Sequence, residues 1–328
     1  MSLFRLVALT LAGISTALLV VWVRRGRLAA TQRRHDWQRR HPLGPDGVIP
    51  GAGPIALDGD ARAVVVVHGF GDTPQSVAVL AAALHARGFT VRVPLLPGHG
   101  RSLDAFLRSR AAEWKAEVRR AIDELNERHE SLCIIGLSMG GALAALLSQE
   151  LETASNNTQE VAGDRAGRRC QLVALVLLAP YLEVPAMGRL LTSIWPLWTL
   201  RRPWVEGDDS ASILDPEQRA RSLGFGGATP RLLYQLRRIA AEALAATPQL
   251  QLPTLAIFST SDYRIPAEAA RRIFQCLTAS MKELVWVERS GHVITVDRDA
   301  DFVIARSVEW AERFCPLPAA AEASNDTP

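Results

Sequence analysis

The sequence predicts an α/β fold, in which a mostly parallel central sheet is flanked by helices and covered by a small helical cap. From residue 63 onward, short runs rich in Val, Ile and Leu alternate with longer amphipathic segments. This is the pattern of strands buried on both faces and joined by crossover helices. Near the N terminus, one long uncharged run adds a predicted transmembrane helix to this architecture.

Residues 1–27 are predicted to be the membrane anchor, because Leu6 to Val23 is a run of 18 residues without a charge. Such a length is near the lower limit for a helix that spans a bilayer. A cleaved signal peptide is the alternative, but arginines follow the run directly where a small-residue cleavage site would stand. By the positive-inside rule, these arginines favour a single-pass membrane protein with the rest of the chain in the cytoplasm.

Residues 28–60 are predicted to be a linker, basic at first and then rich in glycine and proline. Seven arginines and one aspartate lie in residues 24–41, whereas the formal net charge of all 328 residues is only +3. The remainder is therefore mildly acidic, and its charge does not indicate a nucleic-acid partner. The basic stretch either rests on anionic lipid headgroups or is a solvated spacer.

Residues 61–316 are predicted to form the folded α/β domain, followed by a disordered tail at 317–328. The predicted strands are Ala63–Val67, Phe89–Val93, Leu132–Ile135, Leu172–Leu178, Leu252–Phe258 and Glu283–Val287. The predicted helices cover residues 76–87, 111–129, 140–150 and 231–245. A polar stretch, Thr153–Arg169, is predicted to be a surface loop.

The alternation of strands and helices breaks at about residues 181–250, which are first apolar and rich in tryptophan, then acidic, then helical. We interpret this insertion as a cap above the carboxyl ends of the strands, where open α/β sheets bind ligands. The tryptophans either pack within the cap or form an acyl-binding or membrane-facing surface.

Gly136-Leu137-Ser138-Met139-Gly140 lies between an apolar strand and a helix of small residues. In that setting the G-x-S-x-G pattern predicts a nucleophile elbow, a tight turn that exposes the serine hydroxyl. Because a serine hydroxyl needs a neighbouring base, Ser138 predicts a histidine and an acid further along the chain.

The partners of Ser138 follow by elimination. Of seven histidines, only His292 lies C-terminal to the serine, and it follows the last predicted strand. Of the aspartates between them, only Asp262 directly follows a predicted strand. Both side chains are thereby expected at the sheet edge that carries Ser138, with His292 as the base and Asp262 as the acid that orients it.

An oxyanion hole needs two preorganised N–H donors. We expect one from the backbone of Met139, at the start of the helix after the serine. The other is expected from the backbone of Phe70, in the glycine-containing loop after strand Ala63–Val67. His68 in that loop is expected to support it and not to act as the base.

The four cysteines are widely spaced and contain no C-x-x-C motif, so neither a disulfide framework nor a metal cluster is implied. No cofactor is expected.

The chain resembles the α/β-hydrolase superfamily, and within it the bacterial carboxylesterase and monoacylglycerol lipase branch. The resemblance covers residues 63 to about 314. Its motifs are His68–Pro74, Pro97–Gly100, Gly136–Gly141 and Ser290–Thr295. It implies hydrolysis of short- to medium-chain esters or monoacylglycerols beneath a small cap, without a cofactor.

The sequence therefore predicts a membrane-anchored serine ester hydrolase that forms an acyl-enzyme on Ser138, with a small or lipid-like ester as substrate and membrane lipid as a partner. We expect a single-pass protein of the bacterial inner membrane with its catalytic domain in the cytoplasm. An acyltransferase or a thioesterase on the same triad is one alternative, since the triad does not choose the acceptor. A non-catalytic interaction module is the other. The sequence does not specify the oligomeric state.

Overall fold

The computed structural model describes residues 35–162, 170–201, 203–207 and 209–317, together with residues 20, 21, 23–26, 28, 31 and 32. Within these residues, the main sheet has seven strands: β1 (Ile55–Leu57), β2 (Arg62–Val67), β3 (Thr90–Val93), β4 (Ser131–Leu137), β5 (Gln171–Leu178), β8 (Thr254–Ser259) and β9 (Lys282–Val287). Their order is β1-β3-β2-β4-β5-β8-β9. All neighbours are parallel except β1 and β3.

The core of the sheet is formed by strands whose side chains are buried on both faces. Every residue of β2 and β8 is buried, as are the last five residues of β5. Continuous β-branched and aliphatic runs have this arrangement because helices cover both faces. Each of the six predicted strands is present, and β4 lies in the interior of the sheet with its carboxyl end at the predicted elbow.

In the part of the chain that the structure describes, five helices flank the sheet: α1 (Ala78–Ala86), α3 (Ala111–Asn126), α4 (Met139–Ala162), α10 (Ala267–Cys276) and α11 (Ala300–Phe314). Helices α1 and α11 pack on each other, whereas α4 packs on α3 and on strands β2, β4 and β5. A short helix, α2 (Leu103–Arg108), begins after Ser102, whose hydroxyl accepts a hydrogen bond from the Ala105 N–H and so caps the first turn.

The cap consists of α5 (Ala186–Ser193), α6 (Trp195–Arg201), α7 (Asp209–Ser212), α8 (Pro216–Arg221) and α9 (Pro230–Ala246), with a two-stranded sheet of β6 (Val205–Glu206) and β7 (Gly227–Ala228). It is inserted between β5 and β8, where the sequence predicts it. Helix α9 packs on α4 of the main domain and also on α5 and α6. It therefore joins the cap to the domain.

The structure places strand β1 inside the stretch predicted as a linker. Ile49 and Ala52 of the same stretch are buried in the main core, and the indole of Trp37 stacks on His41 and contacts Phe225 of the cap. The turn-forming residues around β1 obscured a strand of three residues, which is too short to produce an alternating pattern. The folded domain thus includes residues well before 61.

Helix α4 continues through Ala162, so the prediction of a loop from Thr153 is wrong for its first ten residues. Residues 153–162 contain no glycine or proline, and several of them are good helix formers. These polar residues therefore form the last turns of a helix and not a loop. Residues 163–169 lie outside the described part of the chain.

The predicted anchor, Leu6 to Val23, falls almost entirely on residues that the structure does not describe, and it remains a prediction. None of the helices that the structure does describe combines the length and the apolar character needed to cross a membrane. The predicted disordered tail also lies outside the described residues from 318 onward.

Candidate active site

Ser138 lies on the sharp turn between β4 and α4, with a φ angle of 54°. This left-handed conformation is costly for a residue with a Cβ and persists only where the surroundings impose it. The Ser138 N–H donates to the Leu178 carbonyl at 2.9 Å, and the Ser138 carbonyl accepts from the Tyr181 N–H at 3.0 Å. These bonds to the last residue of β5 and to the loop after it hold the serine in its strained position.

The two glycines of the elbow are required by the close approach of backbone atoms. A Cβ on Gly136 would lie 2.2 Å from the Gly140 carbonyl oxygen, and one on Gly140 would lie 2.2 Å from the Val67 carbonyl oxygen. Real Cβ atoms do not come that close. The sequence pattern therefore reflects the packing of the elbow against itself and against the end of β2.

The structure brings Ser138, His292 and Asp262 together in one hydrogen-bonded line. His292 Nε2 lies 2.7 Å from Ser138 Oγ, and His292 Nδ1 lies 2.7 Å from Asp262 Oδ2. All three residues are buried. They come from the ends of β4, β9 and β8, as the chain order predicts.

The carboxylate of Asp262 is fixed by its own loop. Its Oδ1 atom accepts hydrogen bonds from the backbone N–H groups of Arg264 at 2.8 Å and Ile265 at 3.1 Å. The other oxygen is left to accept from His292 Nδ1–H. Because a carboxylate can only accept, this bond keeps the proton on Nδ1, so Nε2 of the neutral ring can accept the serine proton.

Met139 is next to the serine in the chain, and the loop that carries Phe70 comes close to it. Met139 follows it at the first position of α4, where backbone N–H groups have no partner within the helix. Phe70 lies in the loop after β2, and a Cβ on its neighbour Gly69 would lie 3.5 Å from the Ser138 Cβ. This loop therefore lies beside the nucleophile.

His68 supports that loop from within the core. Its Nδ1 donates to the Gly69 carbonyl at 2.9 Å, and its Nε2 accepts from the Leu96 N–H at 3.2 Å. Complete burial lowers the pKa of His68 to about 4, since a buried charge loses its hydration. The ring is therefore neutral at pH 7 and joins the loop after β2 to the loop after β3.

Aromatic rings pack around this support. His99 contacts His68 edge-on, with ring centroids 5.2 Å apart, and lies beside Phe70, Phe106 and Trp114. Burial, followed by the proximity of His68, lowers the pKa of His99 well below its usual 6.5. The loop that carries Phe70 is thus packed against an aromatic cluster.

Part of the cap is hydrogen-bonded to three loops of the site, those that carry His292, Asp262 and Phe70; we call residues 212–228 the cap base. The Ser212 carbonyl accepts from the Val293 N–H at 3.0 Å, next to the histidine, and the Ser212 hydroxyl accepts from Arg264 Nη2 at 2.9 Å, next to Asp262. The Phe225 N–H donates to the Gly71 carbonyl at 2.8 Å. Sequence reasoning missed these bonds, because they use backbone atoms and a common serine.

A buried acid, Asp297, also escaped the sequence analysis, although it lies only five residues after the predicted base. Its partners are backbone N–H groups, which leave no mark in the sequence. Among the described residues there is no group of three or more His, Cys, Asp or Glu side chains arranged to hold a metal ion.

Comparison with known proteins identifies relatives along most of the chain. A monoacylglycerol lipase of Bacillus sp. (strain H-257), described as thermostable, is 28% identical over 263 residues, which cover 80% of this chain and 95% of the relative. A carboxylesterase of Bacillus subtilis (strain 168) is 24% identical, with 80% and 96% covered.

Among solved structures, one from a study of the metagenome-derived lipolytic enzymes LipS and LipT superposes with a TM-score of 0.69 at 26% identity. The match covers 81% of this chain and 99% of that one. The predicted resemblance to the carboxylesterase and monoacylglycerol lipase branch is confirmed, as is the prediction of a serine hydrolase that acts on ester bonds. The profile of the family described as serine aminopeptidase, S33, matches residues 59–299, and the chain belongs to this family of α/β-hydrolases.

Proposed function

We propose that this protein hydrolyses lipid-like carboxylic esters, of the monoacylglycerol type, through an acyl-enzyme on Ser138. The observation that carries the assignment of roles is the pair of 2.7 Å contacts that His292 makes with Ser138 and Asp262. A serine becomes a nucleophile only when a base within hydrogen-bond reach takes its proton, and this geometry meets that requirement.

In the first half of the proposed reaction, Ser138 Oγ attacks the acyl carbonyl carbon while its proton passes to His292 Nε2. The tetrahedral oxyanion is stabilised by the N–H groups of Phe70 and Met139. When the ester C–O bond breaks, His292 gives the proton to the leaving alcohol oxygen, and the acyl group remains on Ser138. Asp262 stabilises the imidazolium without taking its proton.

In the second half, water attacks the acyl carbonyl, and His292 accepts one of its protons. The bond from Ser138 Oγ to the acyl carbon then breaks, Oγ regains the proton, and the free acid leaves. Two relatives are named as a monoacylglycerol lipase and a carboxylesterase, and these names support a substrate ester with a single acyl chain. Acyl transfer to an alcohol or hydrolysis of a thioester would use the same triad.

Labelling with a fluorophosphonate tests the nucleophile. The wild type should be labelled and Ser138→Ala should not, while equal labelling of both would overturn the assignment. Turnover of p-nitrophenyl esters of increasing chain length, beside monoacylglycerols and matched acyl thioesters, then tests the substrate class. A sharp optimum at the acetyl ester, or a preference for the thioester, would contradict the lipid-ester proposal.

We further propose that the protein acts at a membrane surface, with the N-terminal run as a single-pass anchor in the bacterial inner membrane and the catalytic domain in the cytoplasm. Two short cap helices, α5 and α6, and the residue that joins them support this proposal. They expose five large apolar side chains: Met187, Leu190, Ile194, Leu197 and Leu200. A group of exposed apolar side chains on a protein surface marks a site of contact with a partner or a membrane.

The charge of this part of the cap and its position beside the N-terminal segment both favour a lipid surface as its partner. Residues 184–205 contain three arginines and no acidic residue, and tryptophan and arginine together suit the boundary between headgroups and acyl chains. A Cβ on Gly26 would lie 3.6 Å from Pro203 Cδ, so the chain that continues from the predicted anchor reaches the domain beside the apolar helices. Retention of the full chain in membranes after alkaline washing is the expected result, and complete release would contradict the anchor.

A further inference from the structure

Asp297 accepts four backbone hydrogen bonds although it is almost fully buried, with 3% of its surface exposed. Its Oδ2 atom accepts from the Gly291 N–H and from the Leu214 N–H, both at 2.7 Å. Its Oδ1 atom accepts from the Asp215 N–H and the Arg298 N–H, both at 2.9 Å. Bonds to a charged acceptor are about twice as strong as neutral ones, so this carboxylate is a firm point of attachment.

The donors belong to two separate parts of the molecule. Gly291 immediately precedes His292, whereas Leu214 and Asp215 belong to the cap base, about 80 residues earlier in the chain. On the other side of the histidine, the Val293 N–H donates to the Ser212 carbonyl. The backbone of His292 is therefore attached to the cap base on both sides.

The packing at this junction leaves little freedom for the loop. A Cβ on Gly291 would lie 2.6 Å from the Ala211 carbonyl oxygen and 2.7 Å from that of Ser212. Cap and loop are thus in direct backbone contact as well as bonded through Asp297. A shift of the cap base would move the backbone from which the His292 ring reaches Ser138.

We propose that Asp297 is a positioning residue, which sets the place of His292 relative to Ser138 by holding its loop to the cap base. The inference rests on the proposed role of His292 as the base. As a consequence, the position of the cap base affects the rate of the chemical step as well as substrate binding. A displacement of about 1 Å at a catalytic group can cost about 100-fold in rate, so loss of this attachment should be visible in kcat.

Asp299 offers a matched control two residues away. It is also a buried carboxylate of the same loop, and it accepts hydrogen bonds from the Arg289 N–H and the Ser290 hydroxyl. These hydrogen bonds, together with one from Arg289 Nε, hold Asp299 to the main-domain side of the junction. Asp297→Asn and Asp299→Asn therefore make the same chemical change in one loop, with and without a bond to the cap.

The experiment measures kcat and KM for a water-soluble short-chain p-nitrophenyl ester, the rate of fluorophosphonate labelling, and Tm for the full-length wild type and both variants. We expect Asp297→Asn to lower kcat and the labelling rate together, by about 10-fold or more, with KM nearly unchanged. Asp299→Asn should lower Tm to a similar extent with a clearly smaller loss of kcat.

Three results would overturn the inference: unchanged kcat in Asp297→Asn, an increase confined to KM, or equal losses of kcat in the two variants. Failure of the wild type itself to be labelled would instead refute the proposed function. If Asp297→Asn does not fold, Asp215→Ala tests the same junction from the cap side, because it removes the N-terminal cap of α8 and leaves the buried carboxylate in place. It should lower kcat, and unchanged kcat in that variant would equally overturn the inference.

Discussion

The two halves of the cap differ in what they contact. The cap base is bonded through Ser212, Leu214 and Phe225 to the loops that carry His292, Asp262 and Phe70. The half formed by α5 and α6 contacts α9 instead, where Arg237 donates to the Ser193 hydroxyl at 2.9 Å. It points its largest aliphatic side chains outward. One insertion thus contains a part built into the active site and a part available to an external surface.

This difference indicates a division of labour. A segment bonded to three loops of the site cannot shift without disturbing the chemistry. A segment that packs on α9 can meet the proposed lipid surface and leave the triad intact. Substitutions in the two regions should therefore separate chemical defects from defects at the lipid surface.

The largest effect on catalysis is expected in the loops that are bonded to the cap base, from Asp262→Asn. Oδ1 can still accept from Arg264 and Ile265, so the new NH₂ group faces His292 Nδ1. The ring must then carry its proton on Nε2, where it cannot accept from Ser138. We expect kcat for a soluble ester to fall by about 10⁴-fold with little change in Tm. A loss of only a few-fold would contradict the proposed tautomer.

The free energy of unfolding should depend on pH through His68, which supports the loop after β2. Its pKa of about 4 in the folded protein lies below the usual 6.5, so the folded state binds fewer protons between these values. Stability is then fully present above pH 6.5 and is lost as the pH falls toward 4, by roughly 3 kcal/mol from this residue. The buried ring of His99 acts in the same direction.

Urea unfolding of the wild type and His68→Gln between pH 7.5 and 4.5 measures this contribution. The glutamine variant should be less stable at pH 7, because it loses one of the two loop contacts, and should lose less stability on acidification. Parallel curves for the two proteins would show that His68 contributes nothing to the pH dependence.

The sequence predicted the catalytic line and the strands because each left a local signature. Ser138 stands in a strand–turn–helix pattern, His292 is the only histidine after it, and the buried strands are long aliphatic runs. The junction at Asp297 left none, since its four donors are backbone N–H groups brought together by the insertion of the cap. Strand β1 escaped for a related reason: it depends on pairing with β3 rather than on its own composition.

The smallest effect on the chemistry is expected from the outward-facing half of the cap. Leu190→Ser combined with Leu197→Ser changes two side chains that are 58% and 64% exposed, so the free energy of unfolding should change little. Turnover of a soluble short-chain ester should match the wild type. Hydrolysis of a monoacylglycerol in anionic phosphatidylglycerol vesicles should fall by about 10-fold, because apolar area no longer enters the lipid. Val79→Ser with Phe302→Ser, at exposed positions of α1 and α11, is the matched control and should leave both activities intact. If the leucine variant keeps its full rate on vesicles, the outward half of the cap serves another contact, and the division between the two halves does not concern lipid.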